Sequence, residues 1–292
     1  MNAKFFESII PNVNNVYFSP SFMMKGNKLK YVTNTGEIIS SDASLRLYRI
    51  MRVSNILEVI KQKELRFDFP SRWQDPFEKL FYQRVVNCGG NDYYVACFCF
   101  SCDSVEGEES LWNIHAKLSS PIKGVTPYTT NYDVCPVRAC FDMLSLCKNL
   151  ANANPGLKFY LAPVDYSKSR KDILKVKRER RGGYKSLNEF IGDMLLKRKA
   201  FSYEKEIRLF VVSEQPFHED KNAPGFTLLK LNNKRSGIIT SLTLPPIPVE
   251  NPYNANTYHN DLESKANPVK SYLITNGYKK TIYISRLYDM NV

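Results

Sequence analysis

The residues best suited to chemistry lie in one stretch, Lys197-Arg198-Lys199-Ala200-Phe201-Ser202-Tyr203-Glu204-Lys205-Glu206-Ile207-Arg208-Leu209-Phe210-Val211-Val212. Two carboxylates stand two residues apart at the mouth of an apolar run, just after a basic, aromatic turn. Continued as a β-strand, the run puts Glu204, Glu206 and Arg208 on one face and Ile207, Leu209 and Val211 on the other, because strand side chains alternate. Paired acids held rigidly on a buried strand suit chemistry at a sugar, where positive charge develops as a glycosidic bond breaks. The same alternation also describes a solvated strand face with a weak cross-strand ion pair. This stretch alone leaves both readings open.

Such a strand needs neighbours, and the chain supplies them. LRLYRI reads as a strand, and VSNILEVIKQKE as a helix capped by Ser54 with Ile56, Leu57 and Ile60 on one side. LRFDFP is an alternating strand stopped by Pro70, and SRWQDPFEKLFYQRV a turn into a helix that starts at Asp75-Pro76. YYVACFCFS is a central strand, LWNIHAKL a short helix, and PVRACFDM a strand or helix start. KFYLAPVDYS is a strand, and LNEFIGDMLLKRKAF an amphipathic helix feeding the acidic stretch. FTLLKL and GIITSLTL are further strands. A Pro- and Asn-rich loop at 244–260 could act as a lid, and YLITNGYKKTIYIS closes the chain as a hairpin around Asn276-Gly277. Residues 1–44, with a hairpin at Asn34-Thr35-Gly36, read as an N-terminal extension to one domain spanning 45–292. Strands interrupted by short helices, without βαβ regularity, place the fold in the α+β class.

The formal charge of +12 is concentrated. Between Lys168 and Lys185, nine basic residues face only Asp172 and Glu179, a net +7. A short exposed helix there would put Lys175, Lys177, Arg178, Arg180 and Arg181 on a phosphate backbone, with Tyr184 placed to stack on a base. A solubilising helix or a dock for an acidic partner fits the same charges. The seven cysteines are an odd number. The trio Cys97, Cys99 and Cys102 lies in an aromatic strand where Cys97 and Cys99 are same-face small hydrophobes, so no metal is expected. No run reaches membrane-spanning length and the N-terminus lacks a signal-peptide core, so a cytoplasmic location is expected.

In order along the chain, LYRI, SNILEVIKQKELRFDFP, WQDPFE, CFCFS, LWNIHA and KRKAFSYEKEIRLFVV resemble the bacterial domain-of-unknown-function family 2971. The resemblance runs from about residue 45, and its most specific pieces are Asp75-Pro76-Phe77-Glu78 and Tyr203-Glu204-x-Glu206-x-Arg208. More distantly, an aromatic-Arg strand, a strand ending in Ser and a Glu-x-Glu strand are similar to the ADP-ribosyltransferase layout, in particular to toxins that modify nucleic acid. That resemblance implies a split central β-sheet with short flanking helices, and NAD as substrate with no metal. It implies Arg49 at the NAD pyrophosphate, Ser101 on the middle strand, Glu206 as catalytic glutamate and Glu204 as the first acid of the pair. Tyr48 or Tyr203 would stack on the nicotinamide. Arg49 could equally be a structural ion-pair partner of Glu78 or Glu206, and Trp112 and His115 read as packing. The implied activity is transfer of ADP-ribose to nucleic acid, RNA ahead of DNA, in a toxin–antitoxin or phage-defence setting with a neutralising antitoxin protein. A non-catalytic nucleic-acid-binding module, or an enzyme that modifies protein or hydrolyses NAD, are the alternatives.

Overall fold

The computed structural model describes residues 6–33, 35–39, 44–73, 75–81, 83, 85–102, 112, 131–218, 225–232, 237–246 and 255–285, the side chains of 255–258 and 261 excepted. Its strands are β1 (Val16–Phe18), β2 (Phe22–Lys25), β3 (Lys28–Val32), β4 (Ile38–Ile39), β5 (Arg46–Arg52), β6 (Glu64–Asp68) and β7 (Val85–Cys88). They continue with β8 (Asn91–Ser101), β9 (Pro136–Asp142), β10 (Lys158–Pro163), β11 (Glu206–Ser213), β12 (Phe226–Lys230), β13 (Ile239–Leu244) and β14 (Thr281–Ile284). The helices are α1 (Val53–Leu57), α2 (Met143–Ala153), α3 (Arg170–Glu179), α4 (Leu187–Met194) and α5 (Ala255–Thr275). Multi-stranded sheet with short helices between strands is the α+β class that the sequence predicts. The described residues divide into two compact units, one from 1–46, 65–102 and 143–232, the other from 47–64, 103–142 and 233–292.

The first unit is organised around β11. It runs antiparallel between β10 and β8, and β1 pairs in parallel with β10. β6 and β7 pair with β8, and β12 pairs with β6. Every residue of β11 is buried, which is why its sequence is nearly continuous in Ile, Leu, Phe and Val. Phe210 and Val212 lie opposite Cys97 and Val95 of β8, and with Tyr160 and Ala162 of β10 they pack against Ile173, Phe190, Ile191 and Met194. Glu206 and Arg208 alternate in step with Phe210 and Val212, so they stand on this helix-covered face. The segment expected as an N-terminal extension supplies β1, and Phe6 packs edge-on against Tyr160 at 5.3 Å. It also forms the antiparallel β2–β3–β4 sheet, with the β3–β4 turn closed by the Gly36 N–H donating to the Thr33 carbonyl.

In the second unit β5, β9, β13 and β14 are hydrogen-bonded in that order. Three expectations change here. Ser54 caps nothing, because α1 follows directly on β5 with Arg52 at the cap position and Ser54 inside the first turn. The stretch expected as a loop to residue 260 is helical from Ala255, while 247–254 lie outside the described residues. Asn276-Gly277 is a helix end rather than a hairpin or strand pair: the segment before it is α5, the crossover that the parallel pairing of β14 with β13 requires. The Gly277 N–H donates to the Ile274 carbonyl and the Tyr278 N–H to the Leu273 carbonyl, which closes α5 with Gly277 at φ +99°. Only glycine takes that backbone conformation without strain. Gly277→Ala is expected to lower unfolding free energy by about 1 kcal/mol in urea titration, with an unchanged fold by circular dichroism.

Candidate active site

The acidic stretch does not enter β11 as a continuous strand. After α4, Lys197 is pinned by its N–H donating to the Asp165 carbonyl at 3.1 Å. Lys199–Glu204 then winds into a 3₁₀ turn that ends at Lys205 in the left-handed region, φ +43°. The strand begins only at Glu206. The expected shared face of Glu204, Glu206 and Arg208 is therefore corrected: Glu206 and Arg208 share it, and Glu204 sits on the preceding turn. The Glu206 N–H donates to the Tyr166 hydroxyl at 3.1 Å, and Glu206 lies directly opposite Ser101 across the β11–β8 ladder.

Glu204 is brought back by a lysine. Lys197 Nζ donates to Glu204 Oε2 at 2.7 Å and to Glu206 Oε2 at 3.0 Å, and lies 3.7 Å from Glu78 Oε2. Behind it, Arg208 is fully buried. Its Nε donates to Glu206 Oε1 at 2.9 Å, Nη2 to Glu206 Oε2 at 3.0 Å, and Nη1 to the Met194 carbonyl at 2.6 Å. Nη2 also donates to Glu78, and the guanidinium lies 4.1 Å from the Trp73 ring centroid. The two most specific motifs of the resemblance, around Asp75–Glu78 and Tyr203–Arg208, thus form one cluster. Asp75 completes it. Its carboxylate accepts from the Phe77 N–H and holds Arg198 in a two-pronged fork at 3.1 and 3.2 Å. The expected helix after Asp75-Pro76 is only the short 3₁₀ turn Glu78–Phe81, because Glu78 is drawn inward to Arg208 and the chain pairs with β8 as β7 from Val85.

Among the described residues, three carboxylates, Glu78, Glu204 and Glu206, face two cations, Lys197 and Arg208, so acids outnumber cations in the cluster by one. The two acids of the motif respond in opposite directions. Burial penalises the Glu206 anion, but Arg208 and then Lys197 outweigh it and hold the carboxyl well below the usual range. At Glu204 burial dominates over Lys197, and the nearby Glu206 and Glu78 charges add to it, so its carboxyl is raised. Lys197, despite burial, is held protonated by Glu206, Glu78 and Glu204. The two neighbouring carboxyls therefore differ in proton affinity, Glu206 lowered and Glu204 raised.

Among solved structures the chain is similar to Thermus sp. 2.9 DarT. In its complex with ADP-ribosylated ssDNA the identity is 10%, covering 83% of this chain and 95% of that one, with a TM-score of 0.33. For the complex with NAD+ the identity is 9%, the coverage 83% and 96%, and the TM-score 0.31. No family model and no curated protein matches the chain.

The other expected site residues fall out as follows. Ser101 is half-buried beside Glu206 on the same sheet face. Tyr203 is exposed on the 3₁₀ turn, its ring 6.5 Å from Phe201. Tyr48 and Arg49 are half-buried on β5 of the second unit, where the Arg138 guanidinium lies 5.1 Å from the Tyr48 ring. On α3, Lys175 and Arg178 are exposed and Lys177 is half-buried, while Arg181 is exposed just beyond the helix. Arg180 is committed elsewhere, to Asp193 at 2.7 Å and Glu189 at 2.5 Å. Tyr184 is not available to stack on a base: it is buried, edge-on to Phe190 at 5.1 Å. Trp112 is buried, and His115 lies outside the described residues. Cys97 and Cys99 share a face, with their sulfurs 3.8 Å apart.

Sequence reasoning missed Lys197, Arg208, Glu78 and Trp73 as one constellation. The signal was present as two charged motifs with no partners of their own, but nothing in their spacing ties residues 73–78 to 197–208. Arg208→Met leaves the buried Glu206 and Glu78 to share Lys197 with Glu204, and is expected to cost about 3–5 kcal/mol in urea unfolding. Adding Glu206→Gln and Glu78→Gln should recover part of that loss. Stability should also fall on acidification: the depressed Glu206 contributes fully above the ordinary carboxylate range and loses its contribution as pH drops toward its folded value. Glu206→Gln should flatten that acid limb.

Proposed function

We propose that this protein is an NAD-dependent ADP-ribosyltransferase whose acceptor is nucleic acid, with RNA ahead of DNA because unpaired bases are the accessible ones. The observation that carries the reading is the pairing of Glu204 and Glu206 on one ammonium with their ionisation pushed apart. Two neighbouring carboxyls whose environments separate their proton affinities are suited to different steps of one reaction. Glu206, a fixed anion, stabilises positive charge on the ribose as the bond to nicotinamide breaks. Nicotinamide leaves with the bonding electron pair, the acceptor atom bonds to the ribose carbon, and Glu204 takes the acceptor's proton.

Ser101 lies across the ladder from Glu206, a position fit for orienting the sugar. Arg49 keeps the pyrophosphate role, and Tyr48 or Tyr203 the nicotinamide-stacking role, that the resemblance implies. Lys175, Lys177, Arg178 and Arg181 hold acceptor phosphates. The same resemblance implies a toxin of a toxin–antitoxin or phage-defence system, restrained by a neutralising protein. No described helix is long and apolar enough to cross a membrane, and no group of three metal-binding side chains occurs among the described residues.

A second reading rests on the closure of Glu206, whose two oxygens are both engaged by Arg208 and Lys197 and whose side chain is only 8% exposed. In it the network only holds β11 in place, and the protein binds nucleic acid without consuming NAD. Purified protein with labelled NAD and RNA or DNA oligonucleotides separates the two. Transfer of label that Glu206→Gln lowers by at least about a thousandfold supports the enzyme, whereas absence of labelling with intact oligonucleotide binding supports the module. Because Glu204 must be ionised to accept a proton, the wild-type rate should rise with pH through its raised pKa, and Glu204→Gln should remove that limb.

A further inference from the structure

Beside the carboxylate cluster lies a row of planar side chains that the reaction itself does not use. The Arg170 guanidinium, at the first turn of α3, lies 5.2 Å from the Phe77 ring centroid. Arg198 lies 4.8 Å from the same ring and 4.9 Å from Phe201. Phe201 in turn is 5.3 Å from Lys197 Nζ, the atom that holds Glu204 and Glu206. Phe77, Arg198 and Phe201 are half-buried and Arg170 is exposed, so the row reaches the surface. Asp75 orders it: the carboxylate grips the hydrogen-bonding edge of Arg198 and the Phe77 N–H, which leaves the planar surface of the guanidinium to the Phe77 and Phe201 rings.

The basic helix continues from this row. α3 buries Ile173 and half-buries Val176, so Lys171, Lys175 and Arg178 stay exposed. Ser169 and Asp172 cap its N-terminus reciprocally, through the Ser169 and Asp172 N–H groups, and the exposed side-chain cations are the anion-binding elements. Alternating aromatic and guanidinium faces beside a basic track match unpaired nucleic acid, whose bases stack on planar groups while its phosphates follow the cations. A paired duplex hides its base faces and could use only the basic track.

We propose that Arg170, Phe77, Arg198 and Phe201 form a stacking platform for single-stranded nucleic acid, with α3 following its phosphates and the strand delivered toward Glu204. This rests on the nucleic-acid acceptor of the function proposed above. The test is fluorescence anisotropy with labelled 12-nucleotide single-stranded DNA and RNA, and the matching duplex, measured without NAD across a salt series. Single strands of either sugar should bind at least tenfold more tightly than duplex. Phe77→Leu and Phe201→Leu keep apolar bulk but lose the π face, and each should weaken single-strand binding roughly tenfold, as should Arg170→Ala. Lys175→Ala should reduce the salt slope by about 0.7. Arg170 is exposed, so its variant carries the test even if a phenylalanine variant fails to fold. Duplex binding as tight as single-strand binding, wild-type affinity in the variants, or no binding at all overturns the platform. NAD turnover alongside wild-type affinity in the variants removes the platform alone, and an intact platform without NAD turnover removes the enzyme reading alone.

Discussion

A guanidinium cannot be buried unless its donors are used, and the first unit is arranged around that demand at Arg208. The side chain is 1% exposed and reaches Glu206, Glu78, the Met194 carbonyl and the Trp73 ring. Those partners come from three separated segments: the turn after β6, the end of α4, and β11 itself. Each must be in place for the charge to be tolerated, because a buried charge missing one partner costs several kcal/mol. The ion cluster therefore fixes where the Asp75–Glu78 turn sits against the sheet, and with it the aromatic and cationic groups that the turn carries.

From that anchor the site divides into a rigid half and an adjustable half. Glu206 stands at the start of a buried strand with both oxygens engaged. Glu204 stands on a partly exposed 3₁₀ turn and makes one strong contact, through the flexible Lys197 side chain. Lys205 in the left-handed region is the break between them. Had the strand run on to Glu204, both acids would have pointed into the same helix-covered face, and their environments would have been alike. The break leaves Glu206 against both Arg208 and Lys197 and Glu204 against Lys197 alone, and hence gives opposite shifts in proton affinity. The same turn carries Phe201 and Tyr203, so Glu204 and these aromatic rings are positioned by one segment.

Local pattern was a good guide wherever a single segment decided its own structure. The alternation in YYVACFCFS and the apolar run after Glu206 became β8 and β11, and Cys97 and Cys99 do share a face. Pattern failed where a distant partner or neighbour decided. The DPFE turn stayed short because Arg208 draws Glu78 inward and the chain from Val85 pairs with β8. Tyr184 became core because Phe190 stands beside it, and Arg180 was taken by Asp193 and Glu189. Asn276-Gly277 suits a hairpin or a helix end equally, and the parallel placement of β14 on β13 selects the second.

What the sequence determined by itself is the α+β class, the principal strands, the basic helix and the choice of Glu204 and Glu206 as candidate residues. Composition and periodicity are written residue by residue and act over a few positions, so they are legible without the fold. Tertiary structure decided that Lys197, Arg208, Glu78 and Trp73 belong to one cluster, and that the two glutamates differ. Charge pairing and desolvation depend on distance in space, and residues more than a hundred positions apart meet only once the sheet has formed.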